Sequence, residues 1–314
     1  MSQPLVSVVL ATNECSPYLG HAIGSVVGQS YADWELLVID DGAAQPAALD
    51  AMVAVDDRIQ ILHFGNAGPS IARNRGLARS HGELVAFLDH DDRWEPDHLA
   101  EAVATLDRHP EAPASFCGFH YIDEHGRRTG ALQHGPVTRQ TILSGDDRPH
   151  IVTLVARREA IVETGGGFSP QLRFAEDIDL IYRLAEAGPF AQAPNKTVSY
   201  RVHRSNMSRD TRRAATMHDR ALRLALDRYA MADDRQATRW LRRGRRRSRH
   251  YYAGQGLADA VRQLRAGHVA EAARLGAWAL KFSPAGVALR VARAVYRKAR
   301  STPTTTAVPA SRGQ

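Results

Sequence analysis

The chain has 314 residues, room for about two domains at roughly 100 to 200 residues each, and its 44% hydrophobic and 24% charged residues exclude wholesale disorder. Two cysteines, Cys15 and Cys117, exclude a disulfide framework and a CxxC zinc motif. The net charge of +7 conceals a division: residues 1–200 carry 15 Lys+Arg against 27 Asp+Glu, whereas residues 201–300 carry 25 against 7, so an acidic part able to hold cations precedes a basic part suited to a polyanion or anionic lipid, or simply bearing a solvated arginine face.

The N-terminal MSQPLVSVVLATNE has no basic leader and no long apolar region, so it reads as a first strand rather than an export signal, and no stretch reaches the roughly 18 apolar residues of a membrane span. A cytoplasmic chain is expected. From residue 4 to about 120, β-branched runs alternate with segments of helical period: PLVSVVLA, then 17–29; WELLVID, then 46–55; RIQILHF, then 68–81; ELVAFLD, then 95–108; and APASFCGF. This alternation predicts an α/β fold with a mostly parallel sheet flanked by helices. A hairpin around DEHGRR, a strand HIVTLVA, a turn GGGFSP, a helix over about 175–187 and a strand near TVSYRV follow. Beyond 210 the chain reads as a C-terminal helical extension, including an Ala-rich pair at 256–267 and 269–281, before a disordered tail.

Open parallel sheets bind ligands beyond the carboxyl ends of their strands. Those positions are polar here: Thr12, Asn13 and Glu14; Asp40 and Asp41; Asp89, His90, Asp91 and Asp92. The turn after the first strand, TNEC, lacks GxGxxG, and the chain, with three lysines, lacks GxxxxGKS/T, so nicotinamide dehydrogenases and P-loop NTPases are poor candidates. In LDHDD three carboxylates within four residues repel one another unless compensated, and their hard oxygens suit Mg²⁺ or Mn²⁺ with positions open for a diphosphate. An acidic turn, or Asp92 capping the helix after RWEP, would explain the same letters. Either Asp40 or Asp41 could accept from a base or ribose, or serve the turn at Gly42. In FAEDIDLIYRL, Glu176 and Asp177 begin a helix with Ile178, Ile181 and Leu184 inward; its dipole alone favours acids there, and one of them could equally accept a proton. The glycines 165–167 permit a closing loop or a simple turn.

The order and spacing of PLVSVVLATNE, SVVGQSYADWELLVIDDG, NAGPSIARNRGLARSHGELVAFLDHDDRW, GGGFSPQLRFAEDIDLIYRLA and YRVHRSNMS resemble the family 2 inverting glycosyltransferases with the GT-A fold. The resemblance spans residues 4–208 and implies a catalytic domain at 1–208, followed by a basic helical region at 209–300 and the tail at 301–314. It implies that Thr12, Asn13 and Glu14 contact the base and ribose of a nucleotide-sugar donor and that Asp41, with Asp40 as rival, reads the nucleobase. Arg73 lies near the donor. Asp89 and Asp91 form the DxD pair, Asp91 as direct metal ligand and Asp89 as ribose or metal contact, and His203 completes the metal or diphosphate site. Asp177 is the implied catalytic base, with Glu176 its neighbour. The implied reaction is a single displacement by an acceptor hydroxyl of a glycan or lipid-linked glycan, with UDP favoured by family habit. One departure is His90, where the family's DxDD segment usually has a small residue.

The run WLRRGRRRSRHYY at 240–252 and ALRVARAVYRKAR at 288–300 interleave arginines with aromatic or aliphatic residues, which suits peripheral docking on an anionic inner membrane face. Nucleic acid would satisfy the same charges, but no nucleic-acid motif occurs and the acidic half opposes it. A non-catalytic nucleotide-sugar or polyanion binding module is the alternative reading. A nucleotidyltransferase is the third, opposed by the absence of a Gly-rich phosphate loop.

Overall fold

A computed structural model describes residues 6–172, 174–203, 206 and 210–301, apart from the side chains of 295–301. The expected tail beyond Ser301 lies outside the described residues. Two compact units divide the chain, Met1–Arg245 and Arg246–Gln314.

The first unit opens with β1 (Val6–Thr12), α1 (Leu19–Val27), β2 (Trp34–Asp41), α2 (Pro46–Val53), β3 (Ile59–Phe64), α3 (Pro69–Leu77) and β4 (Leu84–Asp89). Strands β1, β2 and β4 are almost continuously apolar and buried, as parallel strands covered on both faces must be. Then come β5 (Arg93–Trp94), α4 (His98–Arg108), β6 (Ala114–Ile122), β7 (Arg128–Leu132), α5 (Arg139–Ser144), β8 (Leu154–Arg157), α6 (Arg158–Glu163), α7 (Glu176–Ala187), β9 (Ala191–Arg201) and α8 (Thr211–Met231), with α9 (Arg235–Arg265) beginning in this unit. One sheet runs β3-β2-β1-β4-β8-β6-β9-β5, with β7 beside β6. Its first four strands are mutually parallel, while β8 runs antiparallel to β4 and β6. The α/β architecture and the DEHGRR hairpin, closed between β6 and β7, are as read from the sequence.

This order fixes where a ligand can sit. The chain moves outward from β1 through β2 to β3 and then returns to the other side of β1 as β4, so connections diverge between β1 and β4 and leave a crevice at their carboxyl ends. Register places Thr12 beside Asp40, and Ala11 beside Asp89.

Helix α7 is more buried than a one-sided stripe of Ile178, Ile181 and Leu184 suggests: Glu176, Asp179, Tyr182, Arg183 and Ala185 are buried as well, because α8 covers it, and Tyr229 Oη donates to the Tyr182 carbonyl at 3.1 Å. Arg183 also decides between the readings of the glycine run. It donates to the carbonyls of Thr164 (3.2 Å), Gly166 (2.5 Å) and Gly167, while the Asn74 amide bonds both N–H and C=O of Phe168. The run is a pinned turn, with Gly165 and Gly166 at φ +99° and +81°.

In the second unit the rest of α9 packs with α10 (Val269–Phe282) and α11 (Pro284–Ser301). The expected Ala-rich pair is present, but its first member is the end of a continuous 31-residue helix. His250 Nδ1 meets Ser283 Oγ at 2.7 Å, and Arg249 donates to the Phe282 carbonyl. Among the described residues no helix is long and apolar enough to cross a membrane.

Helix α3 reaches the sheet through Gly76, where an added Cβ would stand 2.4 Å from Val9 Cγ1 and 3.2 Å from Ile39 Cγ1. Gly76→Val is therefore expected to destabilise the first unit by about 2 kcal/mol or more through overpacking, read as a lower urea midpoint at unchanged slope.

Candidate active site

The carboxyl ends of β1, β2 and β4 gather most of the residues singled out above. Thr12 is buried, donating from Oγ1 to the Glu14 carbonyl at 2.7 Å and accepting from its N–H, so it shapes the turn that leaves Asn13 and Glu14 exposed. Glu14 reaches across to the next strand end, its Oε1 lying 3.2 Å from His90 Nε2.

Asp40 and Asp41 are both buried and differ in what they hold. Asp40 Oδ1 accepts from the N–H groups of Gly42 and Ala43, and its Oδ2 lies 2.7 Å from His63 Nδ1, so the carboxylate closes the turn after β2. Asp41 Oδ1 accepts from Ala67 N–H (2.9 Å) and from Arg75 (3.2 Å), and Oδ2 accepts from Gly68 N–H at 2.7 Å, which fixes the loop entering α3. A carboxylate oxygen can accept two bonds, so Asp41 Oδ2 retains capacity for a ligand donor.

Beyond β4, Asp89, Asp91 and Asp92 place one carboxylate oxygen each within 4.8 Å of one another. Asp92 does not cap the following helix: α4 begins at His98, with Asp97 at its N-cap position. The Asp92 side chain instead turns inward, where Oδ1 accepts from Arg201 N–H at 2.7 Å and Oδ2 is buried without a hydrogen-bond partner among the described residues. Burial, reinforced by the charges of Asp91 and Asp89, pushes its carboxyl well above the ordinary carboxylate range.

Two arginines fasten this acidic corner. Arg73, from α3, donates through Nη2 to Asp89 Oδ1 at 2.7 Å and through Nη1 to Glu176 Oε1 at 2.6 Å, joining the end of β4 to the first turn of α7. Burial works against the guanidinium charge, and the carboxylates of Asp89 and Glu176 outweigh it, so its pKa is raised. Glu176 is buried too, and burial raises its carboxyl despite Arg73. Arg201, at the end of β9, donates from Nε to the Asp91 carbonyl (2.8 Å) and from Nη1 to the Asp123 carbonyl (3.1 Å), and lies 4.4 Å from the Tyr18 ring centre. Two residues on, His203 Nε2 lies 2.8 Å from Asp91 Oδ2.

Asp177 is the less buried member of its pair and follows Ala175, whose φ of 67° is a left-handed conformation that costs a non-glycine residue about 1 kcal/mol. Its charge is felt at Arg73, Glu176 and Tyr200. Thus Asp89, Asp91, His203, Arg73, Glu176 and Asp177 form one constellation, with Thr12, Asn13 and Glu14 at its rim and Asp40 and Asp41 behind the neighbouring turns. Reading the letters had left out Arg201, Tyr200 and the inward role of Asp92. The YRVH spacing was the available signal for Arg201, because a strand placing His203 on the acidic corner also brings Arg201 to that end.

The profile of the family described as Glycosyl transferase family 2 matches residues 7–161, the stretch that builds the sheet and the acidic strand ends. TuaG of Bacillus subtilis, a glycosyltransferase named for teichuronic acid biosynthesis, is 28% identical over 224 residues, covering 68% of this chain and 85% of TuaG. The chain belongs to glycosyl transferase family 2. Among other relatives of this family 2 protein, the O-antigen biosynthesis protein RfbC of Myxococcus xanthus is 31% identical over 193 residues, 59% of this chain but only 15% of RfbC. The crystal structure of S. aureus TarS 1-349 in complex with UDP-GlcNAc superposes with a TM-score of 0.63 at 15% identity, covering 87% of this chain and 90% of that one. The GT-A fold is thereby shown.

Removing the Arg73 guanidinium leaves two carboxylates facing each other with no cation between them. Arg73→Met is expected to destabilise the family 2 fold by about 3 kcal/mol, and Arg73→Lys by less, because an ammonium keeps the charge but cannot hold both partners in one planar fork. Chemical denaturation of both variants checks the order.

Proposed function

We propose that this family 2 glycosyltransferase moves a sugar from a nucleoside-diphosphate sugar, a UDP-sugar favoured, to a hydroxyl of a cell-envelope glycan or lipid-linked glycan, with inversion at the anomeric carbon. The observation that carries this reading is the convergence of two carboxylate sets from distant parts of the chain, Asp89, Asp91 and Asp92 after β4 and Glu176 and Asp177 on α7, joined by Arg73. The UDP-GlcNAc named for TarS and the teichuronic acid and O-antigen named for TuaG and RfbC support the donor and acceptor classes.

The donor set fits a divalent cation. Three hard carboxylates stand close together, His203 reaches Asp91, and the buried Asp92 Oδ2 lacks a hydrogen-bond partner among the described residues. Asp89, Asp91 and His203 would hold Mg²⁺ or Mn²⁺, with Asp92 behind them. Such an ion, when bound, offsets negative charge gathering on a leaving diphosphate.

The chain's own residues do the rest. Asp177, more exposed than Glu176 and free of the Arg73 bridge, takes the proton from the acceptor hydroxyl. Arg73 bridges Glu176 and Asp89 and thereby ties the first turn of α7 to the end of β4. Thr12, Asn13 and Glu14 flank the nucleoside, and Asp41 offers Oδ2 to its base, with Asp40, whose Oδ2 meets His63, as its rival. With base and leaving group on opposite sides of the sugar, one displacement inverts the centre.

Turnover against a panel of nucleotide sugars, with Mn²⁺, with Mg²⁺ and with EDTA, tests the reading. Release of nucleoside diphosphate is expected with one donor class, to be abolished by EDTA. Asp177→Asn is expected to lose about 10²- to 10⁴-fold in turnover while calorimetry shows donor binding retained. Unchanged turnover removes Asp177 from the role of base; donor binding by the parent without turnover on any acceptor supports a binding module instead.

A second prediction follows from Asp92. Because its carboxyl holds its proton to higher pH than an ordinary carboxylate, a cation binding beside it displaces that proton, and metal affinity rises with pH. Titrating Mn²⁺ in two buffers of different ionisation enthalpy should give different heats, with the difference lost in Asp92→Asn.

A further inference from the structure

The second unit is basic and largely uncompensated. Residues 246–314 carry 13 Lys+Arg against 2 Asp+Glu, and both acids are paired locally, Asp259 with Arg262 and Glu271 with Arg274. Large apolar side chains are exposed in the same unit, among them Tyr251 (60%), Leu264 (56%) and Leu280 (53%).

Helix α11 concentrates both properties. Its first turn is packed: Gly286 lies so close to His250 that a Cβ would stand 2.6 Å from its backbone. One turn later, a Cβ on Gly254 would meet Arg290 Cβ at 3.6 Å, so Arg290 marks the side of α11 turned to α9. At about 100° per residue, Leu289 and Val291 then flank that side, and Ala288 and Ala292 point away from it. All four are exposed, Leu289 at 48% and Val291 at 49%, and Arg293 is exposed beside Leu289. The result is an outward apolar arc with Arg293 along its Leu289 edge and Arg290 on the opposite side of the helix.

We propose that α11 docks the chain on a membrane surface containing anionic phospholipid, the apolar arc entering the boundary of the acyl chains while Arg293 at its edge meets a headgroup phosphate within the basic field of the unit. The pairing of charge with an outward apolar arc selects this occupant. A nucleic acid would use the arginines and leave Leu289 and Val291 in water. A second copy of the chain would need about 800 Å² on each partner, far more than two leucine-sized and two alanine side chains supply. A bilayer needs no shape complementarity, only negative charge outside and hydrocarbon beneath.

The structure also moves this role away from the arginine run at 240–252. Leu241 is buried and Trp240 packs against the core of the first unit, so the start of that run is not free to insert in a headgroup layer.

Flotation of the full-length protein with vesicles of phosphatidylcholine, alone or mixed with phosphatidylglycerol, tests the proposal independently of glycosyl transfer. Binding is expected to mixed vesicles only, and to weaken as salt rises. Arg293→Gln should weaken it roughly five-fold, the loss of one arginine at the surface. Leu289→Asp with Val291→Asp should weaken it at least ten-fold with the helical circular dichroism unchanged, whereas Met231→Asp, exposed in the first unit, should leave it intact. Equal binding to neutral vesicles, full binding by the Leu289/Val291 variant, or no flotation by a parent that still binds heparin would each overturn the proposal. So would a dimer of the parent, seen by ultracentrifugation, that Leu289→Asp dissolves.

Discussion

Repulsion between carboxylates is the constraint on which the rest of this molecule depends. Two unit charges 4 Å apart repel by about 4 kcal/mol at the effective dielectric of a protein surface, and the parallel sheet brings Asp89, Asp91 and Asp92 within 4.8 Å of one another at one open end. Compensation is uneven. Arg73 gives its guanidinium to Asp89 and Glu176 through direct ion pairs. Arg201 gives its guanidinium to backbone carbonyls, among them those of Asp91 and Asp123, and gives Asp92 its backbone N–H. Among the described residues the Asp91 and Asp92 side therefore has no guanidinium ion pair like those of Arg73, and Asp91 meets His203 instead.

The same imbalance explains why the surrounding framework is rigid. Carboxylates left to themselves would move apart, and each route of escape is closed by a bond to a different element. The first turn of α7 is held by Arg73 from one side, and the rest of the helix is tied down through Asp179, which is fully buried and engaged by Ser169 (2.6 Å), Arg183 (3.1 Å) and Arg228 (3.0 Å). Arg183 passes the restraint on to the turn at Gly166 and Gly167. With both ends of that path fixed, Ala175 is forced into its left-handed conformation directly before Glu176. The strain is tolerated because buried contacts on either side outweigh it.

Much of the fold was legible because it depends on local pattern. Apolar runs such as VSVVLAT and LVAFLD can only be strands buried on both faces, and the polar residues that follow them can only lie at the sheet's open end. The acids were legible for the same reason. What stayed hidden depends on partners far away in sequence. Asp92 in the letters DDRWEP looks like a helix cap; only the return of β9, 109 residues later, gives it the Arg201 amide and turns it inward. The three glycines permit a closing loop or a simple turn, and only Arg183 reveals a pinned turn. Asp40 and Asp41 are indistinguishable as neighbours in VIDDG, yet one closes its own turn and the other ties down a loop some 26 residues on.

Charge shows the same limit. The sign changes near residue 200, but the compact units divide at Arg245, and several arginines between these points are occupied inside the first unit. Arg228 binds Asp179, Arg223 and Arg245 share Asp219, and Asp234 in return takes Arg139. Counted by unit, Met1–Arg245 holds 28 Lys+Arg against 32 Asp+Glu, close to balance, while the excess lies beyond it. Composition cannot separate an arginine that closes a buried ion pair from one that faces water, since both contribute the same unit to the sum. Only the fold makes that division: Arg228 ties α8 to α7 through Asp179, and with it to the helix that carries Glu176 and Asp177, while Arg245 ties α9 to α8 through Asp219.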